Sequence, residues 1–202
     1  MNQQEKFWKG NFGKNYSKRS TSKKKEKSST IFFKKILKKN YKINSILELG
    51  SNTGNNLIAL NNLYRNARLD AVEINSYACA KMKKRLKKIN VINTSIEKFD
   101  TKSKYDLVFT KGVLIHINPK NLKKIYKKIY KFSSKYILIS EYYNPYPTKV
   151  LYRGHKEKLF KRDFAGDFLN LFPMAKLIDY GFIYERDKYP EDNINWFLIK
   201  KR

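Results

Sequence analysis

The stretch Glu48-Leu49-Gly50-Ser51-Asn52-Thr53-Gly54 constrains this chain more than any other. It closes a short apolar run, Ser45 to Leu49, and opens a segment from Gly54 to Tyr64 that places Leu57, Leu60 and Tyr64 on one helical side. A strand that enters a helix through a glycine turn is the first unit of a doubly wound sheet, which holds its ligand at the carboxyl ends of its strands. Glycine belongs there because the backbone turns sharply and lets a ligand approach amides that no Cβ shields. Asn52 stands where another glycine could be, and asparagine is the side chain that best tolerates positive φ.

The rest of the chain repeats that alternation. Strands are predicted at Leu69–Ile74, Val91–Thr94, Tyr105–Thr110 and Tyr136–Ser140. Between them Cys79, Met82, Leu86 and Ile89 recur at helical spacing as plain core positions. Asn118 and Pro119 suit the start of a helix that stacks Leu122, Ile125, Tyr126, Ile129 and Tyr130. A short helix is expected from Ile31 to Lys39. Lys176–Tyr184 and Asn193–Lys200 form a closing antiparallel hairpin around Gly181 and the Pro190–Asp192 stretch. The fold class is therefore α/β: a mostly parallel, Rossmann-like, seven-stranded sheet with helices on both faces, in one domain over 1–202. Two regions break the pattern. Residues 1–30 form an aromatic and basic arm whose polar part, Lys14 to Ser29, is expected as a loop or mobile lid. Residues 141–166 are long, rich in Tyr, Pro, Lys and Arg, and without a clean period, as a substrate loop would be.

Composition narrows the class without naming a function. The 45 cations against 17 acids give a net charge of +28, far from the roughly 2–8 of a small domain. Only eight of the cations are arginine and 37 are lysine, in a chain also heavy in Asn, Ile, Tyr and Phe, the signature of an AT-rich genome. Planar recognition of bases and phosphates favours arginine, so nucleic acid is the less favoured partner. One cysteine and two histidines leave neither a disulfide framework nor a structural zinc set. Without an apolar run near 20 residues or a signal segment, the expectation is a cytoplasmic protein with no membrane span.

The second strand ends in Glu73, 23 residues after Gly50, where a carboxylate accepts hydrogen bonds from both hydroxyls of a ribose. A dinucleotide fingerprint would want glycine at 52 and 55, yet both are Asn. The glycines at 50 and 54 instead resemble the first motif of class I S-adenosylmethionine (SAM) methyltransferases. That resemblance implies SAM as cofactor, with Glu48, Gly50, Ser51, Asn52 and Gly54 around its adenosyl and methionyl portions. It also implies Glu73 and Ile74 at the ribose, Ser95 and Ile96 at the adenine, and Lys111 and Gly112 at the methionyl end. At both ends the chain resembles, more narrowly, the pseudaminic acid biosynthesis-associated methylases. The residues are Phe7, Trp8, Gly10, Phe12, Gly13, Tyr16 and Arg19, then Glu141-Tyr142-Tyr143-Asn144-Pro145, Tyr152-Arg153-Gly154-His155 and Lys161–Gly166. Tyr16 and Arg19 are thereby expected to reach the cofactor. Asn144-Pro145-Tyr146-Pro147 bears a superficial likeness to the motif of adenine-N6 methyltransferases, but it follows the fifth strand rather than the fourth.

Methyl transfer from a sulfonium is an in-line displacement that depends on alignment and exclusion of water. A sugar hydroxyl needs a general base and a neutral amine needs less help, so His155 is the first candidate and Glu141 the second. His116 is expected to pack against the sheet. Tyr142, Tyr143, Asn144, Tyr152, Arg153, Lys161 and Arg162 are expected to bind an acidic sugar or sugar nucleotide. An RNA methyltransferase and a non-catalytic SAM-binding partner in a glycan cluster are the alternatives.

Overall fold

Five short segments, apolar in their central four strands, build the parallel part of the sheet in the computed structural model, which describes residues 1–37 and 41–202. They are β1 (Ser45–Leu49), β2 (Arg68–Glu73), β3 (Asn90–Asn93), β4 (Tyr105–Lys111) and β5 (Ser133–Glu141), all parallel. The sheet is completed by β8 (Lys176–Ile183) and β9 (Ile194–Lys200) in the order β3-β2-β1-β4-β5-β9-β8, with β9 antiparallel to both of its neighbours. This is the expected seven-stranded sheet with its closing hairpin. Strand order reverses between β1 and β4, which opens a crevice at their carboxyl ends.

Both faces of the sheet are covered, so the central strands carry apolar residues on both sides. On one face Leu47, Val108, Ile137 and Ile199 pack under α6 (Leu122–Phe132) and α7 (Phe164–Leu171). On the other, Ile46, Leu107, Leu138 and Leu198 meet α3 (Lys23–Ile36), α4 (Asn55–Leu63) and α5 (Ser76–Arg85). Cys79 and Met82 are buried core residues, as their spacing predicts. In α6 the residues Leu122, Ile125, Tyr126, Ile129 and Phe132 are buried, while Lys123, Lys124, Lys127 and Lys131 are exposed. That lysine run is a solvated helix face.

Two expectations are corrected. Lys14–Ser29 is helical over most of its length, not a loop: α1 (Gln3–Lys9), α2 (Asn11–Arg19) and the first turns of α3 occupy the arm. Lysine is a good helix former, and the Ser22 side chain caps α3 by accepting from Lys25 N at 3.2 Å. The apolar side of α3, with Phe32, Phe33 and Ile36, lies downstream of the charge run, which hides the helix from a period search. Lys38 and Lys39, the end of the expected helix, lie outside the described residues.

The 141–166 segment is not structureless either. It forms a hairpin of β6 (Thr148–Tyr152) and β7 (His155–Lys161), then starts α7. Arg153 and Gly154, both at positive φ (50° and 82°), make its two-residue turn. Asp163 caps α7 by accepting from Gly166 N at 2.7 Å. Among the described residues no helix is long and apolar enough to cross a membrane.

Candidate active site

A cavity of about 670 Å³ fills the crevice at the carboxyl ends of β1, β2 and β4. Its floor is the β1–α4 turn, its roof is α1 and α2, and the β8–β9 connection closes one side. The turn is built as its sequence implies. Gly50, Asn52 and Gly54 have φ of 84°, 46° and 82°. A Cβ on Gly50 would stand 2.6 Å from a Val113 methyl, so only glycine lets the loop after β4 close over the turn. Gly54 acts differently from the expectation. It is not on the cavity wall; its bare Cα admits Met82, to which a Cβ would come within 2.6 Å.

At the tip of β2 the Glu73 carboxylate accepts from Asn52 N at 2.8 Å and from Asn75 N at 2.7 Å. Burial pushes its pKa up, and these backbone donors oppose the rise. Each oxygen retains acceptor capacity toward the cavity. Ser51, Asn52, Ile74, Ser95, Ile96, Lys111 and Gly112 also line the wall, and the Asn52 Oδ1 is buried without a partner. Glu48 lies behind the wall: Asn56 Nδ2 donates to its Oε1 at 2.6 Å, and its Oε2 is buried without a partner. Burial raises its pKa to about 8, against the Asn56 hydrogen bond and the Lys111 charge.

The arm is clamped over this site. Asn75 Nδ2 donates to the carbonyls of Trp8 and Lys9 at 3.0 and 3.2 Å, while its Oδ1 caps α5 by accepting from Tyr77 N at 3.1 Å. Trp8, Tyr16 and Arg19 thereby reach the cavity. From the opposite side, Glu191 pairs with Lys111 at 2.8 Å and accepts from Ser29 Oγ at 3.2 Å. The Tyr142 hydroxyl donates to Asp192 at 2.9 Å. Asn75, Glu191 and Asp192 were not expected at the site. The N-cap position of Asn75 before α5 is a usable signal, whereas the acids at 191 and 192 lie in a stretch whose sequence marks only a turn.

Neither expected base is on the cavity wall. Glu141 is buried beneath the loop after β4, accepting from Val113 N at 2.9 Å, Leu114 N at 3.1 Å and Ile115 N at 3.3 Å; burial pushes its pKa up to about 7. Its oxygens hold that loop in shape. His155 is exposed and packs edge-on to the rings of Phe7 and Phe12, 4.9 and 5.3 Å away. It props the arm from outside because the hairpin turn places it beyond the cavity. His116, expected only as packing, does line the cavity. Its Nδ1 is 2.6 Å from the Lys158 carbonyl oxygen, and burial lowers its pKa to about 4.

Of the acceptor residues, Tyr142, Tyr152 and Arg153 are on the wall. The other four are not, because each is engaged elsewhere. Tyr143 leans on the Phe197 ring at 6.3 Å, and Asn144 donates to Tyr146 O at 2.6 Å and Thr148 Oγ1 at 2.9 Å. Lys161 lies over the Tyr142 ring at 5.6 Å, and Arg162 pairs with Asp167 at 2.5 Å.

Residues 46–135, just under half the chain, match a family model described as a methyltransferase domain. The architecture agrees with that match over nearly the whole length. This is a class I methyltransferase fold. It superposes on magnesium protoporphyrin IX methyltransferase from Synechocystis PCC 6803, solved with bound SAH, with a TM-score of 0.73 at 10% identity, covering 98% of this chain and 97% of that one. A SAM-dependent methyltransferase from Clostridium acetobutylicum ATCC 824 gives 0.67 at 15% identity, covering 94% and 97%. Coclaurine N-methyltransferase, bound to N-methylheliamine and SAH, gives 0.64 at 15%; there 78% of this chain spans about half (51%) of the other. No curated protein matches the chain significantly. The β1 turn and the acid ending β2 form one side of the cavity, and the arm, the hairpin and the β8–β9 connection enclose its other side.

Proposed function

We propose that this protein is a SAM-dependent methyltransferase whose acceptor is a small acidic sugar or sugar nucleotide of the nonulosonic type. The residues present fit the donor. Glu73 accepts ribose hydroxyls, and Ile96 with Ser95 gives a half-apolar slot for a base. Bound there, SAM supplies a methyl carbon activated by its positive sulfur. The chain's own residues orient the two substrates and exclude water: Trp8, Tyr16 and Tyr152 wall the space under the clamped arm.

The observation that carries the acceptor is a pair of arginines. Arg19 and Arg153 both line the cavity mouth, each about 5.9 Å from the centre of an aromatic ring (Tyr16 and Tyr152). Neither has a carboxylate partner among the described residues. Two guanidinium groups outside any ion pair, on a wall where the acids Glu191 and Asp192 are engaged by Lys111 and the Tyr142 hydroxyl, suit an anionic acceptor. The resemblance of both ends of the chain to the pseudaminic acid-associated methylases supports the sugar class.

Transfer of tritiated methyl from SAM, scored on nonulosonic acids, their nucleotide conjugates and total RNA, tests this reading. Label on an acidic sugar is the expected result. In Arg153→Ala the acceptor KM rises about tenfold or more, while calorimetric affinity for SAH stays within about twofold of wild type, since one charge-assisted contact is worth about 1.5–3 kcal/mol. Label on RNA with steep salt dependence would favour the nucleic-acid alternative instead.

A further inference from the structure

We propose that His116 is the general base of the reaction and that the acceptor atom is a hydroxyl oxygen. This rests on the methyl-transfer reading and goes beyond it. His116 ends a 3-10 turn, Leu114–His116, immediately after β4. The Glu141 carboxylate gathers the amides of that turn, so the ring is held on a rigid support. Nδ1 lies 2.6 Å from the Lys158 carbonyl oxygen. A carbonyl only accepts, so Nδ1 carries the proton and the lone pair is on Nε2. No described group hydrogen-bonds Nε2, and it is not among the sealed, unpartnered atoms, so it opens onto the cavity that the ring lines.

The surroundings keep the ring neutral. Its ring neighbours are Trp8 at 4.6 Å and Tyr152 at 4.9 Å, and the backbone of Lys158 is its hydrogen-bond partner. Burial holds the imidazole well below its ordinary 6.5, so the lone pair is available at neutral pH. Arg19 and Arg153, which would hold an acidic acceptor, share the same cavity. A neutral amine would not need such a group; a hydroxyl does.

The step balances as follows. A hydroxyl oxygen bonds the methyl carbon as the carbon–sulfur bond breaks, its electron pair returning to sulfur, which becomes a neutral thioether. The hydroxyl proton passes to His116 Nε2. A weakly basic imidazole suffices, because the oxygen becomes strongly acidic as it gains the methyl group. The imidazolium then loses its proton to solvent as product leaves.

Two measurements test this, one independent of turnover. Long-range ¹H–¹⁵N spectra of histidine-labelled protein, assigned with His155→Gln, should show His116 protonated at Nδ1 and neutral at pH 6. A ring protonated at Nε2, or charged at that pH, overturns the proposal. In the tritium assay His116→Gln should lose about 10²–10⁴-fold in kcat. Its affinity for SAH should stay within about twofold, and added imidazole should restore part of the rate. A kcat within about fivefold of wild type, or label recovered on nitrogen, overturns the base while leaving the methyltransferase reading intact. If wild type labels no sugar in the panel, the acceptor reading fails and the base falls with it.

Discussion

Gly50 shows how much a single position carries. Its φ of 84° is one that side chains avoid, and a Cβ would press on the Val113 methyls at 2.6 and 2.8 Å. Strain and overlap together predict that Gly50→Ala loses about 1–3 kcal/mol of stability in urea unfolding. SAH affinity should fall as well, since the loop after β4 can no longer close over the turn. At this scale the wall of the cavity at the tips of β1 and β2 was legible. The positive φ of Asn52 and the place of Glu73 follow from residue type and spacing, because a ligand at a strand tip restricts which residues can stand there. The base was not legible. His116, His155 and Glu141 are all chemically competent, and only the register of β4 and the hairpin turn decides which of them faces the cavity.

Among the elements, α1 and α2 matter most to the site and were the hardest to foresee. At the centre of their docking is the amide of Asn75, which donates to Trp8 and Lys9 carbonyls while capping α5. Gln4 donating to the Glu157 carbonyl at 3.2 Å and Asn55 donating to the Ser20 carbonyl at 2.8 Å tie the two ends of the arm. Asn75→Ala should therefore speed amide hydrogen exchange across residues 3–19 by about tenfold or more while the central strands stay protected. Unchanged exchange in the arm would show that the aromatic contacts and the hydrogen bonds at its two ends hold it without Asn75. The sequence pattern conceals such an element because its docking is made by scattered aromatic rings and backbone carbonyls rather than by a periodic apolar stripe. The β6–β7 hairpin hides for a related reason: three successive residues, Lys158, Leu159 and Phe160, are buried, so no alternation marks the strand. By contrast, the strands β1, β2, β4 and β5 announce themselves through runs that only a doubly covered sheet can bury.

Across the whole molecule, acidity should be felt through buried groups rather than through the +28 surface charge, much of which sits on solvated lysines. The folded-state pKa of Glu48, about 8, lies above its ordinary 4.5, so the native protein binds more protons than the unfolded chain between those values. Its contribution to stability is complete below pH 4.5 and is lost as pH rises through 8. Glu141 acts in the same direction up to about pH 7. His116 acts oppositely: its contribution is complete above 6.5 and is lost as pH falls through about 4. Urea midpoints of wild type and Glu48→Gln should accordingly diverge in the variant's favour between pH 5 and pH 8, and parallel curves would contradict the burial of a protonated Glu48.

The cavity draws its walls from stretches that are distant in the chain: Trp8 to Arg19, the turn at 50–56, the loop at 111–117, the hairpin at 152–153 and the tie at 190–192. The part matched to the methyltransferase family runs from residue 46 to 135, so it holds the strand-tip turn and the loop after β4, while the arm, the hairpin and the tie lie outside it. Substitutions confined to the flanks would thus remodel roof and mouth while leaving the strand-tip floor as it stands.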